Sequence, residues 1–406
     1  MHASAPKPPP SVKGPVFVET MHGLRAAAVF ALVLYHCAIG VNWVPVHALP
    51  RALYESGFLS LDILFFTTGF VLFLPVVISG TLGSVGAFAI RRFARIGPPY
   101  YVCLLLILVF FPLLTSPQTA SQAHNSATDY LVHLAFLQRE VLGTDSGLGV
   151  NGPLWALSID VAFYVLLPLI ATVYLRRPFV GLVVALAAAA AWRIAFADPP
   201  TPANLEALIQ FPLFLGDFAC GMTAAWAFVR LRGSQWPRLH VRATVAISFG
   251  ALAAIIGLAY AAGSTVPFHL GVFREPPLVA LLFPLALLVL VVAVSVAPAW
   301  TQWPLTNRAA LWFSEISYSV FLYHVPLIFF AIYTLGIFRV SQGWQMLAFV
   351  LSASIALATA SYLLVERPSR RYGRRLARRV AGSRGEPAAV AHRRAAALGL
   401  ENPRRL

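Results

Sequence analysis

An arginine and a histidine eleven residues apart, inside one apolar run, raise the first chemical question. In "GLRAAAVFALVLYHCAIG" (residues 23–40) Arg25 stands near the start and His36 lies deep inside. Eleven residues is close to three turns of α-helix, so the two side chains would leave nearly the same face roughly 16 Å apart. Imidazole is a general acid–base group, and guanidinium is a planar fork suited to phosphates. Four more ionisable residues lie in apolar surroundings: Asp62 in "GFLSLDILFFTTGF", Asp160 in "NGPLWALSIDVAFY", Asp217 in "FLGDFACG" and His324 in "SEISYSVFLYHVP". At about 1.5 Å per residue, His36 and His324 fall about 20 Å from one end of their runs, and Asp160 about 12 Å from the other. Asp217 reaches a similar level and Asp62 lies a little further out. In a hydrocarbon core about 30 Å thick this is one polar layer, and ionisable groups at such depth need partners there.

The elements that must carry these residues are membrane spans. The chain has 406 residues, 59% hydrophobic and only 11% charged, with mean hydropathy +0.76. A soluble domain would be about a quarter charged. Apolar runs predict an all-α, polytopic membrane protein with ten helices near 23–43, 57–78, 96–114, 152–174, 178–197, 209–229, 243–262, 277–297, 311–334 and 343–365. With the N-terminus inside, 25 of the 30 Lys and Arg fall on inner segments, twelve of them after residue 366. The positive-inside rule therefore puts both termini in the cytoplasm and accounts for the net charge of +15 without nucleic acid. The basic C-terminal end suits anionic lipid headgroups. The Pro-rich start "MHASAPKPPPSVKGP" reads as a disordered tail and the first span as an uncleaved anchor. Cys37, Cys103 and Cys220 all sit in apolar runs, with no disulfide or metal spacing. Between 115 and 151, "DYLVHLAFLQ" reads as a short interfacial helix.

Arg25 falls at the inner mouth, where "RRFARIGPPY" also enters the third span. Arg92 and Arg95 share one helix face there, beside Arg91, and Pro98-Pro99 bends the chain beyond them. Any one of these arginines also serves as a helix-end anchor. Together, a basic mouth and a His/Asp layer about 15–20 Å beyond it suit a long ligand, phosphates at one end and reactive chemistry at the other. Acyl-coenzyme A has that shape.

"GLRAAAVFALVLYH", "GFLSLDILFFTTGF", "RRFARIGPPYY", "GPLWALSIDVAFYVLLP", "ISYSVFLYHVPLI" and "VERPSRR" also occur in the order seen in the acyltransferase 3 family. The chain resembles these integral-membrane O-acyltransferases, which act on sugars, surface polysaccharides, lipids and antibiotics, from about residue 19 to 372. The Arg25–His36 spacing and the Arg92/Arg95 pair are the family's more specific features. The resemblance implies a roughly ten-helix fold in a bacterial inner membrane. It divides the chain into a tail (1–18), a transmembrane acyltransferase domain (19–372) and a basic cytoplasmic tail (373–406). It also implies a cytosolic acyl-CoA donor, commonly acetyl-CoA, and an acceptor hydroxyl on a glycan, glycolipid or small molecule. Three positions depart from the family pattern: Asp160 replaces a glutamate, Thr68 a serine and His22 an aspartate.

On this resemblance His36 is the expected general base and Arg25, Arg92 and Arg95 the donor-phosphate ligands. Asp160, or else Asp62, would fix the His36 tautomer, as in triad logic. Tyr35, His324 and Trp155 would line the acceptor path. No metal enters this scheme. A transient acyl-histidine is the rival chemistry, and a proton-coupled carrier using the same His/Asp layer is the rival class.

Overall fold

A computed structural model describes residues 18–43, 48–115, 127–139, 141, 150–197, 201–265 and 275–381. Among these the fold is all-α, with no strand. Peptide groups in hydrocarbon have no water to bond, so a long apolar run forms a helix that satisfies itself. Ten helical stretches are long and apolar enough to cross a membrane. Their main helices are α1 (Glu19–Val41), α2 (Ser60–Ser79), α3 (Val85–Leu114), α4 (Trp155–Arg176), α5 (Pro178–Phe196), α6 (Leu215–Arg232), α7 (Val241–Thr265), α8 (Pro277–Val296), α9 (Arg308–Tyr333) and α10 (Gly343–Ser361). Expected tail residues 1–17 and 382–406 lie outside the described residues.

Two boundaries differ from those expected from the sequence. Helix α3 begins at Val85 and runs through Pro98 and Pro99, so Arg91, Arg92 and Arg95 lie within it. The last span does not stop where its apolar run ends. A π-helical turn (Tyr362–Glu366) leads directly into α11 (Arg367–Ala381). Within 115–151 a helix covers Ala127–Leu134, with Tyr100 Oη donating to the His133 carbonyl at 3.1 Å.

Both outcomes follow from how proline is accommodated. A proline inside a helix removes one N–H and leaves the carbonyl four residues earlier without its helical donor. Pro98 thus frees the Ala94 carbonyl, and Ser369 Oγ of α11 donates to it at 2.9 Å. Close by, Tyr318 Oη of α9 donates to the Ile96 carbonyl at 2.8 Å. The proline-containing stretch of α3 is therefore tied to α9 and α11 rather than terminated.

Helix α2 is deeply buried, packed between α1 and α6, while α5 turns Val183, Val184 and Ile194 outward. The α2–α6 crossing depends on two glycines. A Cβ on Gly69 would collide with the Phe218 carbonyl, and one on Gly221 with the Phe66 carbonyl. Phe65 and Phe163 then pack on Phe218, with ring centroids 5.2 and 4.1 Å away. Replacing either glycine by valine must push the two backbones apart, at a cost of about 1–3 kcal/mol or more. Gly69→Val and Gly221→Val are therefore expected to lower the unfolding temperature in detergent or to abolish folded yield. Ala at Gly250, which has open space around it, should leave both unchanged.

Candidate active site

Helices α1 and α9 pack side by side and bring two histidines together. His324 Nε2 lies 3.1 Å from His36 Nδ1. His36 Nδ1 is also 3.1 Å from the Leu32 carbonyl, and His324 Nδ1 is 2.8 Å from the Phe321 carbonyl. A carbonyl can only accept, so both Nδ1 atoms carry hydrogens. His324 Nε2 must then be the acceptor that faces His36 Nδ1–H. One tautomer follows for each ring, and the lone pair of His36 Nε2 is left over. Among the described residues that nitrogen has no hydrogen-bond partner, and His36 is only half-buried, whereas His324 is fully buried. Tyr35 stands edge-on to His36, with ring centroids 5.5 Å apart.

At the other end of the same α1 face, Arg25 meets Arg92 and Arg95 of α3. All three act electrostatically on Asp160 and Tyr164 of α4. None of the three guanidiniums has an ion pair among the described residues. Arg92 Nε is buried with no hydrogen-bond partner, as is Asp160 Oδ1. Thr68 of α2 donates to the Asp160 carboxylate. A fourth arginine, Arg370, joins the group but has a counter-charge: its Nη1 is 3.1 Å from Glu366 Oε1, while Ser319 Oγ donates to Glu366 Oε2 at 3.3 Å. Glu366 closes the π-helical turn and is 1% exposed. The four arginines outnumber the two carboxylates, Asp160 and Glu366, that act on them among the described residues. The forked guanidinium donors match phosphate oxygens.

The expected residues therefore separate into three groups. His36, His324 and Tyr35 form one. Arg25, Arg92, Arg95 and Asp160 form a second, and no hydrogen bond links Asp160 to His36 among the described residues. Asp62 belongs to a third, with Asp217, Glu275 and Arg193, in which Arg193 Nη2 pairs with Glu275 Oε2 at 2.7 Å. The His36 nitrogen expected to bond an aspartate is thus held by His324. Trp155 packs at 5.6 Å on Phe214 at the start of α4. Sequence reasoning passed over Glu366 and Tyr164. The signal for Glu366 was the lone acid in "VERPSRR", and for Tyr164 a place one turn after Asp160.

A family model described as "Acyltransferase domain" matches residues 18–366. The chain belongs to this acyltransferase family. It is also similar to a peptidoglycan O-acetyltransferase of Listeria monocytogenes, 24% identical over 376 residues, which cover 88% of this chain and 56% of the relative. A Bacillus subtilis protein, whose name provisionally gives the same activity, is 24% identical over 385 residues, covering 90% and 57%. The chain spans little more than half the length of these relatives. No solved structure matches it significantly.

The unpaired guanidiniums should bind a pyrophosphate-bearing anion. Inorganic pyrophosphate is expected to raise the unfolding temperature of the purified protein. Arg92→Ala and Arg95→Ala should each weaken that binding about tenfold or more, and added salt should weaken it further.

Proposed function

We propose that the protein is a membrane-embedded O-acyltransferase that moves an acyl group, acetyl first among candidates, from cytosolic acyl-CoA to a hydroxyl of a cell-envelope glycan. The observation that supports this best is the single tautomer chain Phe321 C=O, His324, His36, which leaves one unused basic lone pair on the helix that also carries Arg25. The names of the two relatives support acetyl and glycan, with peptidoglycan the first acceptor to test. The uneven spread of Lys and Arg supports a cytoplasmic arginine mouth, hence donor access from that side of a bacterial inner membrane.

In this reading Arg25, Arg92 and Arg95 hold the donor phosphates, and Asp160, fixed by Thr68, keeps the three guanidiniums in place. The pantetheine arm spans the roughly 16 Å to the histidines. His36 Nε2 takes the proton of the acceptor hydroxyl as its oxygen attacks the thioester carbonyl. The C–S bond breaks, and the proton passes from His36 to the leaving thiolate, giving an ester and a free thiol. While His36 is protonated, its Nδ1–H bond to His324 becomes charge-assisted and stronger. His324 thus takes the orienting role expected of Asp160 or Asp62. Tyr35 and Trp155 flank the route to the acceptor. The same Nε2 also suits direct attack on the thioester, and acid-quench trapping of an acyl-histidine separates the two paths.

In proteoliposomes with acetyl-CoA and a peptidoglycan fragment, the wild type is expected to release free thiol. His36→Ala should reduce release by about 10²–10⁴-fold with pyrophosphate binding retained. Turnover by that variant at the wild-type rate would refute the assignment. Wild-type protein that leaves acetyl-CoA intact but carries the glycan or a proton across the bilayer would favour a carrier instead.

A further inference from the structure

Pro326 of α9 leaves the Leu322 carbonyl without its helical donor, two residues from His324 and deep in an apolar span. Side chains from two other elements answer it. Asn151 Nδ2 donates to the Leu322 carbonyl at 2.9 Å, and Cys103 Sγ of α3 donates at 3.4 Å. Asn151 is fully buried and stands where a helix N-cap would be, ahead of the 3-10 turn Gly152–Leu154. An asparagine there normally turns its side chain onto the first helical N–H groups. This one makes no such bond. Its amide is spent on a carbonyl 171 residues away in sequence. Because Leu322 O can only accept, the amide cannot be flipped, and Asn151 Oδ1 stays buried with no partner. Such an arrangement is costly for a residue that only closes a turn.

The next carbonyl toward the N-terminus is that of Phe321, which holds His324 Nδ1–H at 2.8 Å. The Leu322 and Phe321 carbonyls belong to one turn of α9, the turn that lacks the Pro326 backbone donor. We infer that Asn151 is a positioning residue: by binding the carbonyl that Pro326 frees, it sets the turn of α9 that orients His324 and, through it, the His36 base. It touches no reacting atom. The inference rests on the reading of His36 as the base. It also ties the N-terminal edge of α4, which carries Asp160, to the histidine pair on α1 and α9.

The test is a mutant cycle on the full-length protein in proteoliposomes, read as free-thiol release from acetyl-CoA. Asn151→Leu keeps the approximate volume and removes the donor. It is expected to lower kcat about 10- to 100-fold with KM for acetyl-CoA little changed, and to move the midpoint of the acidic limb of the kcat–pH profile. Adding Pro326→Ala restores a backbone N–H four residues after Leu322 and should recover a large share of kcat. That recovery, like the moved pH midpoint, is a response that mere loss of folded protein would not give. Asn151→Ser, which keeps a shorter hydroxyl donor, gives a second folded variant if Asn151→Leu does not fold, and an intermediate kcat is expected. Wild-type kcat and pH profile in Asn151→Leu, or a double variant no better than the single one, would overturn the inference. Failure of the wild type to release thiol would instead sink the assignment of the base.

Discussion

A polar atom inside this bundle can find a partner only within the protein, because hydrocarbon offers none, and the few left without one stand out. That constraint shapes the histidine pair. His324 cannot rotate freely, since its Nδ1–H has to reach the Phe321 carbonyl, and this leaves its Nε2 as an acceptor aimed at His36. His36 in turn spends its Nδ1–H on His324 and Leu32. A basic nitrogen is thus presented with no carboxylate hydrogen-bonded to it among the described residues. The prolines serve the same logic. Each one frees a carbonyl, and the side chains that answer, Ser369 at Ala94 and Asn151 at Leu322, are what tie distant helices into one site.

Electrostatics divides the bundle along its length. At the end where α1, α3 and α11 begin, four arginines gather around two carboxylates, those of Glu366 and Asp160. Three acids, Asp62, Asp217 and Glu275, meet a single arginine, Arg193, elsewhere in the bundle. Cations are thus in surplus in one place and carboxylates in another.

Much of this was legible in the sequence. Apolar run length located all ten spans, because length and hydropathy alone decide whether a segment can cross. Arg25 and His36 lie on one helix, α1, with no proline to disturb its 3.6-residue period. Depth counting also put His36 and His324 in one layer, and they touch. It put Asp160 there too, with Asp62 a little further out, and each has other partners. Rise per residue along separate helices cannot say which side chains meet, and Asp160 is grouped with the arginines rather than with His36. The continuation of the last span through Glu366 into α11 was hidden by its charge. Its arginines read as a tail, whereas Ser369 and the π-helical turn join it to the bundle.

The central claim is that one bound donor reaches from the arginine cluster to His36 Nε2. An experimental structure with a non-hydrolysable thioether analogue of acetyl-CoA tests it most directly. The account predicts the phosphates on Arg25, Arg92 and Arg95, and the carbon that stands for the thioester carbonyl beside His36, within the roughly 3–3.5 Å of a near-attack pose once the acceptor oxygen is included. Phosphates seated elsewhere, or a His36 ring sealed from the bound analogue by apolar side chains, would contradict it.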